Sequence, residues 1–403
     1  MRFSSRHLLL VLSMSATLLF SSCLLSTSPS TPVQIPTETS TPTTTATPTG
    51  TAPSPVTPTL QPGFALVDGS RPLTFPADLG PHPDFRTEWW YYTGNLQTPE
   101  GRHFGFELTF FRVGLLPPTV DLPDDSRWAT NEIYFAHFAV SDIAGDQFYA
   151  FQRFSRPGPG LAGAQADPYH VWLEDWNIME HTLGMYRLQA GQEQVSLDLI
   201  LRDEMGVVLH GENGYSRKGS DPTNASYYYS QPRLAAEGSV IVNGIPYQVT
   251  GLAWKDHEFS TNELDPDQIG WDWFSLQFED GRALMLFQLR ERDGSISDSA
   301  SGTFVSADGF PQTLHSGDFE MAVLDHWRSP HTQGVYPSSW EIRIHDPECL
   351  LRAKPWMSDQ EVNFPPIIYW EGAVYFEGSC SGKSVNGNGY IELTGYAGSL
   401  PLP

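Results

Sequence analysis

The stretch that most constrains the fold of this chain is 84-DFRTEWWYYTGNL-96, where four aromatic rings stand in a row. Because side chains alternate between the two faces of a β-strand, Trp89 and Tyr91 point one way and Trp90 and Tyr92 the other. Rings of this size bury ~150–250 Å² each. The pattern therefore predicts a strand with one face in a barrel lumen and the other against a neighbouring barrel. The alternative is that the rings are purely interface core.

Alternating apolar segments recur along the rest of the chain, and none has a helical repeat long enough to predict an α-helix. Closely spaced strands without helices indicate antiparallel barrels or sandwiches. The clearest predicted strands are 132–141, 147–154, 171–178, 195–202, 239–242, 245–254 and 340–345.

One hairpin pattern occurs twice. Residues 90–112 and 273–290 each contain a Trp-led aromatic strand, an acidic turn that ends in Gly-Arg, and an apolar strand that ends in arginine. Such an internal repeat predicts two similar all-β barrels in tandem, which we assign to residues 63–255 and 256–403. In this alignment Asp272 takes the position of Trp89, so we expect a carboxylate on the corresponding face.

The start of the chain has the composition of a targeting segment. Arg2 and Arg6 precede an apolar run that is too short to span a bilayer and ends in 20-FSSC-23. This pattern predicts a lipoprotein signal over residues 1–23, with cleavage before Cys23 and acylation of its thiol. A plain secretory signal is the alternative. We therefore expect an extracytoplasmic lipoprotein, anchored to the membrane at the cell surface or in the periplasm.

Residues 24–62 are almost wholly Thr, Pro and Ser, with Glu38 as the one charge. Nothing in this segment can bury enough apolar surface to offset the entropy of ordering it. A proline-rich chain of this kind is stiff and extended. We expect a disordered stalk between the anchor and the barrels.

Charge and cysteine usage limit the partners and ligands. The chain has 47 Asp+Glu against 23 Lys+Arg, a net charge of −24 that repels phosphate backbones, so nucleic acid is not an expected partner. Cys349 and Cys380 would share an oxidising compartment, which favours a disulfide between them, and two free buried thiols are the alternative. The sequence contains neither a CxxC pair nor an HExxH motif, so we expect no metal and no cofactor.

Candidate catalytic residues cluster beside the second hairpin. Asp256, His257 and Glu258 end a strand that begins with apolar residues, and Asp272 follows across a polar loop. Asp256 and Glu258 should share one face of the strand, with His257 on the other. A desolvated carboxyl group here would have a raised pKa and act as an acid, which makes Asp256, His257 and Asp272 candidate catalytic residues. The alternative is a buried network that fixes the strand in place.

Aromatic residues accompany these polar groups and predict an apolar ligand. Their rings would also stabilise a carbocation through cation–π attraction. The predicted ligand-binding residues are Trp89, Tyr91, Trp254, Trp271, Trp273 and Glu258.

Five blocks in order resemble the AttH/CrtC-like proteins, a group that includes carotenoid 1,2-hydratases. They are TEWWYYTGNL, 135-FAHFAVSD-142, 227-YYYSQPRL-234, 251-GLAWKDHEFS-260 and 270-GWDWFSLQFEDG-281. The resemblance runs from about Pro83 to the C-terminus and implies two lipocalin-like antiparallel β-barrels.

The resemblance also implies a site at Asp256 and His257, where the hydratases carry a similar D-H motif. The chain departs from those enzymes nearby, since Phe259 stands where they carry tryptophan and Gln288 where they carry an acid. Glutamine cannot protonate an alkene. A hydratase reaction would therefore need Asp256 or Asp272 as its acid.

These observations predict an exported, lipid-anchored, lipocalin-like protein that binds an apolar small molecule (a lipid, isoprenoid or polyene), in the service of an ABC-type exporter. The alternative is a hydratase, cyclase or isomerase that acts by acid–base chemistry on an isoprenoid-like substrate. A structural surface module, the third interpretation, would require barrels filled with side chains and no cavity.

Overall fold

The computed structural model describes residues 63–122, 129–262 and 264–398, which belong to the compact unit Thr57–Pro403. The predicted signal at 1–23, its Cys23 and the stalk at 24–62 lie outside the described residues. Within the described part of the chain, no helix has the length and apolar character needed to cross a membrane.

The first thirteen strands form one antiparallel sheet with the order β4-β3-β2-β1-β13-β12-β9-β8-β7-β6-β5, and β10 and β11 pair with β12. Two short 3₁₀ helices, Ala77–Leu79 and Ile143–Gly145, precede β1 and connect β3 to β4. The strands are β1 Thr87–Gln97, β2 His103–Gly114, β3 Glu132–Asp142, β4 Gln147–Ser155, β5 Ala162–Ala166, β6 Tyr169–Leu173, β7 Trp176–Thr182, β8 Met185–Gln192, β9 Val195–Asp203, β10 Val208–Leu209, β11 Tyr215–Arg217, β12 Ala225–Val242 and β13 Ile245–Ser260.

The remaining ten strands form a second antiparallel sheet with the order β17-β16-β15-β14-β23-β22-β20-β19-β18, and β21 pairs with β22. The strands are β14 Gln268–Phe278, β15 Ala283–Glu291, β16 Ser301–Val305, β17 Pro311–His315, β18 Phe319–Arg328, β19 Val335–Ile344, β20 Cys349–Pro355, β21 Glu361–Phe364, β22 Ile367–Cys380 and β23 Lys383–Thr394.

Each sheet curls around its own hydrophobic core. In β9, Val195, Leu197, Leu199 and Leu201 are buried in the first core while the residues between them are more exposed. Near one end of this sheet, β6 contacts β3 and β4 at the other end, so the sheet closes on itself. The predicted fold class is confirmed: the protein is all-β, with two tandem antiparallel sheets of the lipocalin-like type.

The hairpin strands form as the sequence predicts, but one predicted strand does not. Residues 171–178 are divided between β6 and β7, because Glu174 has φ 57° and turns the chain between them. The strand that carries Asp256 continues to Ser260 within the first sheet. The change of sheet therefore falls between Ser260 and Gln268, whereas the sequence-based boundary at 255/256 lies inside β13.

Cys349 and Cys380 lie directly opposite each other on β20 and β22 and form a disulfide in the second sheet. The alternative of two free thiols is wrong. Their pairing joins neighbouring strands of the second core and is remote in sequence from the aromatic strand β1.

A third apolar cluster lies between the two sheets. Tyr91, Trp254 and Trp273 belong to it, whereas Trp90 and Tyr92 belong to the core inside the first sheet. This division confirms that the two faces of β1 serve two different cores. The outward face of the first sheet around β1, β12 and β13 is thus covered by the outward face of the second.

The expected orientation of Asp272 is wrong by one residue. Asp272 points away from the inter-sheet face and bonds to Gln288 and Arg290 of β15, whereas Trp271 and Trp273 face the first sheet. Its counterpart in β1 is Glu88, which likewise faces the interior and pairs with an arginine of the return strand. The first strands of the two hairpins therefore present matching faces when Glu88, and not Trp89, is placed on Asp272.

Candidate functional site

A cavity of about 170 Å³ lies between the two sheets. Strands β1, β2, β3 and β13 of the first sheet and β14, β15, β22 and β23 of the second supply most of its walls. The walls are mainly apolar and aromatic: Trp89, Tyr91, Phe111, Phe135, Leu264, Trp271, Trp273, Phe287, Leu289, Ile367 and Tyr369.

Three glutamates from distant parts of the chain line this cavity. Glu371 and Glu392 are directly opposite each other on β22 and β23, and Glu107 faces them from β2 of the first sheet. Like charges opposite each other on a sheet are destabilising. We call Glu107, Glu371 and Glu392 the carboxyl trio.

The carboxyl trio holds protons near neutral pH. Burial raises the pKa of Glu107 to about 7. Burial, with the charges on Glu107 and Glu392, raises the pKa of Glu371 well above its ordinary value. Burial raises the pKa of Glu392 to about 8 although the Trp271 indole favours its anion, and this side chain keeps partial exposure. Carboxyl groups in such surroundings stay neutral, because the charged form is disfavoured both by desolvation and by repulsion from neighbouring carboxylates.

A hydrogen-bonded chain approaches the trio from β3. The Gln152 amide lies 2.8 Å from His137 Nε2, and His137 Nδ1 lies 2.6 Å from the Tyr369 hydroxyl. Burial lowers the pKa of His137 to about 3, so this imidazole is neutral. With its Nε2 accepting from Gln152, His137 donates through Nδ1. The Tyr369 hydroxyl is thereby free to donate to Glu107 Oε1, at 3.4 Å.

Asp256 forms a second polar group in the wall. Its oxygens accept from Tyr228 and from the Trp254 indole, each at 2.6 Å, and from Ser230. Trp273 of the second sheet donates to the same Tyr228 hydroxyl at 2.9 Å. Burial raises the pKa of Asp256 to about 7 even though these donors favour its anion. This network joins the two sheets at the edge of the cavity.

Glu258, the next outward residue of β13, is paired with a cation. Lys218 Nζ lies 2.9 Å from its carboxylate, and Ser226 donates to the same group. Lys218 also lies over the Phe287 ring, 4.1 Å from its centroid. This pair closes one side of the cavity with its charges compensated.

On the other face of the same strands, Glu88 is the centre of a paired network. It accepts from Arg112 Nε at 2.9 Å, from His257 Nε2 at 2.8 Å and from His82 Nδ1 at 2.7 Å. Burial would raise its pKa, but the bonds from His257 and His82 outweigh burial and hold the pKa well below its ordinary value. Glu88 and Arg112 are both at most 1 % exposed.

This network is also the place where the described residues could hold a metal. The ligand atoms of His82, Glu88 and His257 all lie within 4.8 Å of one another. Their outer atoms bond to Asp78, Arg112 and Tyr229, the kind of second shell that orients metal ligands. The donors around Glu88 satisfy the carboxylate without an ion. A metal would take the place of the protons that His82 Nδ1 and His257 Nε2 now donate to Glu88.

The sequence model of the AttH-like family matches residues 66–396. The chain belongs to the AttH-like family. An AttH protein from Nitrosomonas europaea is 39 % identical, with a TM-score of 0.74 over 83 % of this chain and all of that one. Kievitone hydratase from Nectria haematococca is 15 % identical, with a TM-score of 0.62 over 83 % of this chain and 98 % of that one. None of the curated proteins matches the chain.

In this AttH-like chain most of the residues predicted to bind a ligand do line the cavity. Of the predicted catalytic residues only Asp256 is part of its wall, since His257 faces the interior of the first sheet and Asp272 the interior of the second. Trp254 lies behind Asp256 and supports it. The predicted ligand-binding residues in the wall are Trp89, Tyr91, Glu258, Trp271 and Trp273.

Sequence reasoning missed the carboxyl trio, Tyr369 and the position of His137. A signal for the trio exists, because each glutamate interrupts an apolar strand: 104-FGFELTFF-111, 367-IIYWEGAVYF-376 and 389-GYIELTG-395. Acids are almost never buried without a partner. His137 is buried and hydrogen-bonded, and it also lines the cavity.

Proposed function

We propose that the inter-sheet cavity is an acid–base site for a small apolar, unsaturated molecule. The observation that carries this proposal is the carboxyl trio, a set of carboxyl groups with raised pKa values that face aromatic walls. A ligand carrier of the kind expected from the sequence needs the walls but not the acids. The balance therefore moves from carriage, with binding alone, towards the catalytic alternative.

The chemistry follows from the charges. A neutral carboxyl group, Glu371 or Glu392, donates its proton to one carbon of a C=C bond and becomes a carboxylate, while the other carbon becomes a carbocation. The faces of Trp89 and Trp271 and the new carboxylate stabilise that positive charge. Addition of water and return of one of its protons to the carboxylate give hydration. Attack by a second C=C bond moves the positive charge to another carbon, and loss of a neighbouring C–H proton to the carboxylate then gives a cyclic alkene. Loss of a different C–H proton from the first carbocation, to the carboxylate or to ionised Glu107, gives isomerisation.

The size of the cavity limits what it can enclose. A cavity of about 150 Å³ is sufficient for benzene, whereas drug-sized ligands occupy about 300 Å³ or more. At about 170 Å³ the space suits one ring or one isoprene-sized end of a longer molecule. Kievitone hydratase has this fold, and that likeness extends to the fold alone; the substrate class proposed here rests on the residues of the cavity.

The test is product formation by the purified full chain on linear isoprenoids and polyenes, followed by mass spectrometry. Glu371→Gln combined with Glu392→Gln keeps the shape and removes the protons of both candidate acids, so turnover should fall by ~10²–10⁴ with the fold intact by circular dichroism. Asp272→Asn is the matched control, a buried carboxyl group that faces away from the cavity. Binding without turnover in the wild type would contradict the catalytic proposal and support ligand carriage.

We also propose that the protein works outside the cytoplasm, anchored through Cys23 and extended on the 24–62 stalk, where it hands an apolar molecule to or from an ABC-type exporter. The signal pattern supports export, and the Cys349–Cys380 disulfide supports an oxidising compartment. Cys23→Ser should release the protein from membranes or stall its processing. Unchanged membrane association of this variant would contradict the proposed lipid anchor. Failure to co-purify with an exporter after crosslinking would contradict the proposed partner.

A further inference from the structure

The cations in the cavity wall are already engaged. Lys218 is 2.9 Å from Glu258, and Arg112 is 2.9 Å from Glu88. Neither is paired with a member of the carboxyl trio among the described residues. The trio is therefore a group of buried acids that stays uncharged, or else takes its counter-ion from outside the protein.

Unpartnered polar atoms lie at the same place. Glu107 Oε2, Glu371 Oε1 and the Tyr91 hydroxyl have no hydrogen-bond partner at ordinary geometry within the described residues. Glu371 lies close to both Tyr91 and Glu107 but outside that geometry with either of them. These side chains are 1 %, 1 % and 7 % exposed. Buried polar groups rarely stay unbonded, so their free lone pairs mark where the polar part of a ligand would sit.

The spacing of the trio points to an organic cation in preference to a bare ion. In the described part of the chain, ligand atoms that lie within 4.8 Å of one another occur at His82, Glu88 and His257, and the trio does not form such a group. The rings of Trp89, Trp271 and Tyr91 stand beside the acids. Aromatic faces with carboxylates are the surroundings in which proteins hold an ammonium group.

We propose that the cavity is a receptor for an apolar amine, with its ammonium group between Glu107, Glu371 and Glu392 and its apolar body against Trp89 and Trp271. This inference uses the cavity of the proposed function but not its proton transfer to carbon. An ammonium ion carries the charge that a protonated substrate would acquire, so such a ligand would also compete with the substrate.

Proton release distinguishes this mode of binding. At pH 7 the trio is largely protonated, and an ammonium ion between its members makes ionisation favourable, so binding expels protons into the buffer. Affinity should rise with pH until the amine loses its own charge. The other titratable groups of the described residues that face the trio are Tyr91, His137, Asp256, Glu258 with its partner Lys218, Tyr369 and Tyr390. Of these, His137 is neutral at pH 7 and above.

The experiment is isothermal titration calorimetry of the full chain with benzylamine and with benzyl alcohol, which has nearly the same shape. Repetition in buffers of different ionisation enthalpy counts the protons released. We expect benzylamine to bind at least ~10-fold more tightly than the alcohol, with proton release, and Glu371→Gln combined with Glu392→Gln to abolish that preference while alcohol binding persists.

Three other outcomes would each overturn the amine proposal. Equal affinities for amine and alcohol would overturn the amine proposal and leave the cavity of the proposed function standing. Preference for the amine that survives in the double variant would place the cation elsewhere and overturn it too. No binding of either probe would overturn the amine receptor. Turnover on an unsaturated substrate, measured separately, would still test the proposed function.

Discussion

Glu88 and Glu107 are buried on opposite faces of the first sheet, and the same residue type behaves in opposite ways at the two positions. Glu88, on the inner face, accepts from Arg112, His257 and His82, and these bonds hold its pKa well below the ordinary value. Glu107, on the outer face, lies near Glu371 and Glu392 and has no cationic partner among the described residues, and burial raises its pKa to about 7.

The contrast shows that burial alone does not decide what an acid does. Both groups are desolvated, so the partners determine the outcome. Donors from three elements make Glu88 part of the structure that holds β1, β2 and β13 together. Because the cations that border the cavity, Lys218 and Arg112, are paired with other carboxylates, the trio keeps protons, which is the state that chemistry on an apolar molecule requires.

The largest expected difference between Glu88 and the carboxyl trio is in their contribution to the free energy of unfolding. Glu88→Gln removes the nearer anion of the buried Arg112 guanidinium and leaves Glu132, at 3.4 Å, as its remaining anionic partner among the described residues, and loss of one partner of a buried ion pair costs about 3–5 kcal/mol. Glu371→Gln removes a proton-bearing acid from a cluster of like groups and should leave the free energy of unfolding unchanged or increase it. Urea unfolding of both variants, with the wild type beside them, measures the difference.

Similar losses in the two variants would mean that the trio is as structural as the Glu88 network. Glu320→Gln on the exposed strand β18 serves as the control for glutamate substitution in general, since it lies in water and should be neutral.

The sequence alone predicts the strands of the two sheets, because the alternation of side chains that specifies a strand is a local pattern. Alternation in 195–202 and rings on both faces of 89–92 depend on neighbours two residues apart, and the structure follows them. The division of 171–178 was not predictable from alternation, because a single residue, Glu174, takes a positive φ that its side chain does not signal. The match of Asp272 with Trp89 failed because similarity of letters does not fix which face a strand presents.

Only part of the candidate site could be predicted from the sequence. The strand period places Asp256 and Glu258 on one face and His257 on the other, and this is what the structure shows. The trio lies on β2, β22 and β23, more than 250 residues apart at its extremes, so only the contact between the two sheets brings it together. In the sequence, each member of the trio is a single acid within an apolar strand, with no sign of the other two.

A smaller effect separates neighbours on β13. Asp256 lines the cavity, so Asp256→Asn should weaken benzyl alcohol binding by up to ~10-fold, the scale of one buried hydrogen bond. His257→Ala faces the other way, and should leave that affinity unchanged while lowering the melting temperature through the loss of its bonds to Glu88 and Tyr229. Titration calorimetry and thermal melts of both variants check the crossed pattern. Weakened binding in His257→Ala with unchanged binding in Asp256→Asn would contradict the assignment of the two faces.

The smallest expected effect is on the pH dependence of stability, and it has opposite signs for the two groups. The folded pKa of Glu392 is about 8 against an ordinary 4.5. The folded state therefore holds this proton more tightly than the unfolded chain, and its contribution is complete below about pH 4.5 and lost as pH rises to about 8. Glu88 has a lowered pKa, so its contribution is present above about pH 4.5 and lost in acid.

Melting temperatures of the wild type and Glu392→Gln between about pH 3 and about pH 9 test both signs in one series. The variant should show a flatter decline on the alkaline side, because glutamine does not titrate, and an unchanged decline on the acid side, where Glu88 dominates. Since Glu392 keeps partial exposure, solvent screening makes the alkaline difference modest. Parallel curves over the whole range would mean that Glu392 is ionised throughout, and the protonated half of the comparison would then rest on Glu107 and Glu371 alone.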